Sequence, residues 1–196
     1  GYAVMMATEL RPFFMGIIVS VVIGMALTLP ISSAAICAAF GLTGLAGGAA
    51  VAGCCAQMIG FAVMSFKENG WGGLVAQGVG TSMLQMSNII KNPRIWIPPT
   101  LASAITGPIA TCVFKFQMNG AAVSSGMGTC GFVGQIGVYT GWVNDVANGL
   151  KTSITAFDWI GMALICFVLP AVLSWTICLY MRKKGWIKSE DLKLEL

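Results

Sequence analysis

The sequence predicts an all-α protein: a polytopic membrane helical bundle with broken and re-entrant Gly-rich helices. Three observations carry that prediction. Residues 12–66 contain no Asp, Glu, Lys, Arg or His; as a single helix that run would be roughly 80 Å long, against a bilayer hydrocarbon core of about 30 Å, so it must fold back on itself. Charged residues make up 9% of the 196, where a soluble domain has roughly 25%. Mean hydropathy is +0.83, and four further long charge-free stretches follow, at 69–90, 95–114, 116–144 and 159–181.

Each stretch has its own character. Residues 13–29 carry Gly16, Ser20 and Gly24 at every fourth position, a small-residue seam for close helix packing. Pro30 then removes a backbone donor, and Ser32 and Ser33 supply hydroxyls for the freed groups, so a helix break is expected there. Residues 35–53, dense in Ala and Gly, can approach neighbours closely or unwind. A short span is expected at 51–66, ending in the polar turn Lys67-Glu68-Asn69-Gly70; whether 31–66 is one broken helix or two, periodicity leaves open. Residues 72–88 are too polar and Gly-rich for a lipid-facing span and are expected to be re-entrant or interior. Residues 95–114 read as a span kinked by Pro98, Pro99 and Pro108, with Trp96 at an interface. The last span, 159–181, lies between Trp159 and Tyr180, after a polar excursion from 141 to 151.

Within the Gly-rich stretch 120–137, Gly126-Met127-Gly128-Thr129-Cys130 repeats the pattern of Gly78-Val79-Gly80-Thr81-Ser82, and each is followed by a glutamine, Gln135 or Gln85. Matching broken elements in two parts of a chain mark solute sites in transporters. Chance resemblance between two Gly-rich stretches is the other reading.

Net charge is +4, but the basic residues sit in connectors and after the last span, where they report orientation rather than a nucleic-acid face. Arg182-Lys183-Lys184 places the C-terminus in the cytoplasm. The expected layout is therefore a membrane-embedded domain over 1–184 and a solvated cytoplasmic tail over 185–196. The chain opens on Gly1 rather than Met and enters apolar sequence at once, which leads to the expectation that further spans precede it. Seven cysteines lie in apolar or Gly-rich stretches, the usual behaviour of buried thiols. With no histidine, HExxH zinc sites and Ser-His or Cys-His nucleophile pairs are excluded within the chain. Neither a metal nor a cofactor nor a catalytic residue is expected; Ser124-Ser125-Gly126 has no base to activate it.

Polar side chains at membrane depth persist where they meet one another, water or a ligand. Here they are Ser32, Ser33, Gln57, Thr81, Ser82, Gln85, Asn88, Ser124, Ser125, Thr129 and Gln135. Amides and hydroxyls donate and accept together, as a sugar or other uncharged polar solute requires. Interhelical bonding without a ligand is the alternative for each.

The strings 29–36 (LPISSAAI), 41–50 (GLTGLAGGAA), 54–66 (CCAQMIGFAVMSF), 80–85 (GTSMLQ) and 91–104 (KNPRIWIPPTLASA) resemble the integral-membrane EIIC sugar permeases of the bacterial phosphotransferase system, in the branch that includes PfoR-like regulatory proteins. The resemblance runs over nearly the whole chain, to about residue 188. It implies a permease in the bacterial inner membrane that imports a sugar or sugar-like solute with separate cytosolic EIIA and EIIB phosphocarriers. It is compatible with a homodimer, which EIIC relatives commonly form. A glutamate and a histidine stand beside the sugar in well-studied EIIC proteins, whereas this chain has no histidine and no acid between Glu68 and Asp145. The resemblance therefore leaves two roles open, a permease that grips its solute with amides and hydroxyls, or a membrane-embedded regulator.

Overall fold

The computed structural model describes residues 2–194. Among these no strand forms; ten α-helices are joined by π and 3-10 turns. In order they are α1 Tyr2–Leu10, α2 Pro12–Thr28, α3 Ser33–Phe40, α4 Gly44–Met64, α5 Phe66–Val75, α6 Met86–Lys91, α7 Ile97–Pro108, α8 Val133–Ala147, α9 Ala156–Ala163 and α10 Leu169–Lys183.

α4 is the axis of the molecule. Every residue from Ala46 to Met58 is buried, and α2, α7 and α10 pack around it. The α2 seam works as the spacing requires: a Cβ on Gly53 of α4 would overlap the Ser20 carbonyl, and one on Gly24 would lie 2.7 Å from the Gly53 carbonyl. Helix axes this close need glycine at the crossing. The opposite faces of these outer helices are apolar and exposed, with Phe14, Ile18 and Val22 on α2, Leu101 and Ile105 on α7, and Val172, Trp175 and Leu179 on α10. Contiguous apolar surface of this kind suits lipid rather than water.

The break after α2 stands where Pro30 puts it, with Ser32 capping α3 by accepting from the Ala35 amide at 3.1 Å. α3 ends at Gly41, whose φ of 60 admits the left-handed turn. The stretch 31–66 is thus two helices, and the span expected at 51–66 begins seven residues earlier, because Ala and Gly propagate α4 once its neighbours approach. Pro108 passes α7 into a π-turn, Ile109–Val113, and Pro170 follows a second, Leu164–Val168, within a helix that continues from Ala156 to Lys183. Proline's missing donor and its ring displace the helical ladder in each. Two helices, Gly44–Met64 and Ala156–Lys183, are long and apolar enough to cross a bilayer, and α2 is shorter at 17 residues.

The polar excursion at 141–151 is carried in its first part by α8, which runs to Ala147. One expectation is corrected. The tail at 185–196, expected to be solvated, folds back on the protein through Leu194; Glu195 and Leu196 lie outside the described residues. Ile187 and Leu192 are 2% and 0% exposed and join Phe61, Ile89 and Ile95 in one apolar cluster. Alternating charge gave no sign of this, because the buried residues are the few apolar ones between the charges.

Candidate functional site

The two Gly-rich segments are both broken and both lean on α4. In the first, a π-turn at Ala76–Gly80 leads through extended Thr81 into a 3-10 turn, Ser82–Gln85. The second is a 3-10 turn at Ala122–Gly126, a left-handed Gly128 at φ 54, and a 3-10 turn at Cys130–Phe132. Gly78 rests against Ile59 and Ala62 of α4, and Gly128 against Cys54 and Cys55. The π-turn also packs on Cys130–Phe132, so the segments meet. Their shared pattern does not produce a shared backbone, however: Thr81 has φ −158 and ψ 142, whereas Thr129 has φ −85 and ψ 2.

The eleven polar residues separate into three groups and two local caps. Ser32 and Thr81 are the caps, accepting from the Ala35 and Met83 amides. Gln57 and Ser82 belong to a tie between helices: Thr28 Oγ1 lies 2.9 Å from Ser82 Oγ and 3.3 Å from Gln57 Oε1, which also accepts from Trp96 Nε1 at 3.0 Å. Gln57 Nε2 donates to Thr100 Oγ1. This tie is fully satisfied, as buried amides require.

Gln85 and Asn88 form the second group with Gln77 and Asn69. Gln85 Nε2 donates to Gln77 Oε1 at 2.9 Å and to the Leu192 carbonyl at 3.0 Å; Asn88 Nδ2 donates to Gln85 Oε1 and the Lys193 carbonyl. Asn69 exchanges two bonds with the tail, from Nδ2 to the Leu192 carbonyl and from the Leu194 amide to Oδ1. The tail carbonyls of Leu192 and Lys193 thus take up donors of Gln85 and Asn88, two of the residues expected to face a solute.

The third group surrounds the second Gly-rich segment. Ser33 Oγ donates to the Gly126 carbonyl at 2.7 Å, joining α3 to that segment. Ser125 turns to the Ala122 carbonyl, and Ser124 packs its Cβ against Gly137. Thr129, fully buried, reaches Met58 Sδ at 3.5 Å. Gln135, 7% exposed, donates from Nε2 to Cys55 Sγ at 3.3 Å, while its carbonyl oxygen is buried without a partner among the described residues. An unmatched buried amide oxygen costs about 1–3 kcal/mol. Beside it, Gly131 and Phe132 both occupy the left-handed region, at φ 52 and 57. For Phe that conformation is strained, and such strain concentrates at functional sites.

Sequence reasoning missed one constellation. A cleft of about 330 Å³ opens near the start of the Ala156–Lys183 helix, where Trp142, Asn119, Asp145, Lys151 and Asp158 converge. Asn119 Nδ2 donates to Asp145 Oδ2 at 2.8 Å, and Lys151 pairs with Asp158 at 2.6 Å while its ammonium stands 5.3 Å from the Trp142 ring centre. Trp142 and Asp145, three apart on α8, share a helix face, and that spacing is the one signal that could have found them. The partners come from other elements.

An all-helical chain with an apolar outer surface and polar groups sealed around one central helix belongs to the class of helical membrane proteins. The family model for "Phosphotransferase system, EIIC" matches residues 1–194, and the chain belongs to that family. EIIC domains are the membrane permease components of that system and work with EIIA and EIIB phosphocarriers. No curated protein and no solved structure matches the chain.

Proposed function

We propose that this chain is the permease component of a bacterial sugar phosphotransferase system, spanning the inner membrane several times with its C-terminus in the cytoplasm and importing a sugar or sugar-like uncharged solute. The solute sits where the second Gly-rich segment meets α3 and α4, with Gln135, Thr129, Ser33, Ser124 and Ser125 as the nearest polar groups. Gln57, Ser82, Gln85 and Asn88 hold helices and tail in place instead, and Ser32 and Thr81 cap turns. The single observation that carries this reading is the unpartnered carbonyl oxygen of Gln135, buried beside strained backbone. A solute hydroxyl donating to it satisfies the acceptor and favours the bound state.

The test is uptake of a panel of sugars into vesicles containing the chain, with and without phosphocarriers. Gln135→Ala should lower uptake at least tenfold at unchanged membrane insertion. Wild-type uptake in that variant removes the site.

A second reading is the PfoR-like regulator, which transports nothing. It is favoured by the tail, whose backbone closes the Gln85–Asn88 cluster. Absence of uptake for every sugar, together with sugar-dependent release of the tail, selects it.

A further inference from the structure

The end of the Ala156–Lys183 helix that carries Arg182 differs from the other end in charge and lining. A groove of about 390 Å³ lies there between α4, α5 and α10. Its walls are apolar, with Val63, Leu74, Trp175 and Leu179, and Lys67 and Arg182 stand in its lining. Arg182 is already committed, donating to Glu68 Oε1 at 2.7 Å and to the Met64 carbonyl. Lys67 is exposed and makes no hydrogen bond or ion pair among the described residues. Lys183, equally exposed, stands four residues after Leu179 and so on the same helix face, one turn beyond the groove.

The surroundings select the occupant. The lining contains no side-chain carboxylate and no side-chain amide, the groups that grip a sugar's hydroxyls. Trp175 and Leu179 carry the groove onto the exposed apolar face of α10, and Trp71, 74% exposed, flanks it. Exposed tryptophans and an apolar slot beside lysines that make no ion pair among the described residues match one chemistry: an anion attached to hydrocarbon.

We infer that this groove is a site for an anionic phospholipid, with an acyl chain lying against Val63, Leu74, Trp175 and Leu179 and the phosphate held by Lys67 and Lys183. Arg182, neutralised by Glu68, shapes the wall and leaves the headgroup contact to the lysines.

The experiment reconstitutes the chain in phosphatidylcholine vesicles and titrates dibrominated phosphatidylglycerol or dibrominated phosphatidylcholine while following tryptophan quenching. We expect phosphatidylglycerol to be preferred about thirtyfold, since two lysines near the headgroup at roughly 1 kcal/mol each contribute roughly 2 kcal/mol together. Trp175→Phe should remove part of the selective quenching. Lys67→Gln with Lys183→Gln should abolish the preference, whereas Lys67→Arg with Lys183→Arg, and Lys115→Gln at the opposite end, should keep it. Equal quenching by both lipids, or a preference that survives the double glutamine variant, overturns the assignment. Loss of the preference in inorganic phosphate but not in chloride of the same ionic strength also overturns it, by showing a site for a free anion.

Discussion

The two Gly-rich segments carry the same five-residue pattern yet treat their glutamines in opposite ways. Around Gln85 each amide is matched, by Gln77, by Asn88 and by the backbone of Leu192 and Lys193. Around Gln135 the partner is a sulfur, and the carbonyl oxygen has none. The same residue type at the same offset therefore acts as a fastener in one place and is left poised in the other. What separates them is a distant segment of backbone: the tail returns more than a hundred residues to reach Gln85, and among the described residues no backbone group bonds the Gln135 side chain. Polar residues buried in a membrane protein cannot be assigned to a ligand by type alone, because a chain terminus offers the same donors and acceptors as a solute.

The glycines give the strongest way to break this comparison. Gly128 is left-handed and a Cβ there would lie 2.7 Å from Cys54 Cβ and 2.9 Å from the Cys55 nitrogen, whereas Gly80 has nothing within 4 Å. We expect Gly128→Val to destabilise the protein by about 3 kcal/mol and to undock the second segment from α4, and Gly80→Ala to stay within about 1 kcal/mol. Denaturant titration in detergent measures both. Equal costs would mean that the segments are equivalent after all.

The glutamines give the next largest effect. Gln85→Leu strips partners from Gln77, Asn88 and the tail and should cost about 2 kcal/mol, while Gln135→Leu removes an unmatched oxygen and should change stability by less than about 1 kcal/mol. The same titration tests this, and a larger loss for Gln135→Leu would reverse our assignment of fastener and site.

The smallest effect sharpens the role of the tail. Asn69→Ala removes two bonds to it, and a loss of about 1 kcal/mol in docking should raise tryptic cleavage at Lys188 roughly fivefold, since cleavage follows the population of the open form. An unchanged cleavage rate would show that Ile187 and Leu192 alone hold the tail.

Local features were legible from local residues. Gly16, Ser20 and Gly24 announced a close helix crossing, Pro30 and Ser32 announced a break and a cap, and Pro108 announced a distorted helix. The candidate site was legible only in part. Gln135, Thr129 and Ser33 stood out as polar groups in apolar sequence, but nothing near them in the chain distinguishes them from Gln57, whose partners Thr28, Trp96 and Thr100 lie 29 to 43 positions away. The cleft of Asp145, Lys151 and Asp158 has no local signature, since the loop and helices that assemble it are apart in sequence.

Composition and spacing alone determined that this chain is helical and suited to lipid, and that a helix breaks at Pro30 and is distorted at Pro108, because backbone hydrogen bonding, proline geometry and the cost of burying charge act over a few residues at a time. Tertiary structure alone decided which amides fasten and which stand open, where the tail docks, and which lysines are left without a counter-ion. Those outcomes depend on which groups arrive within about 3 Å of one another, and that is fixed by packing around α4 rather than by any window of sequence.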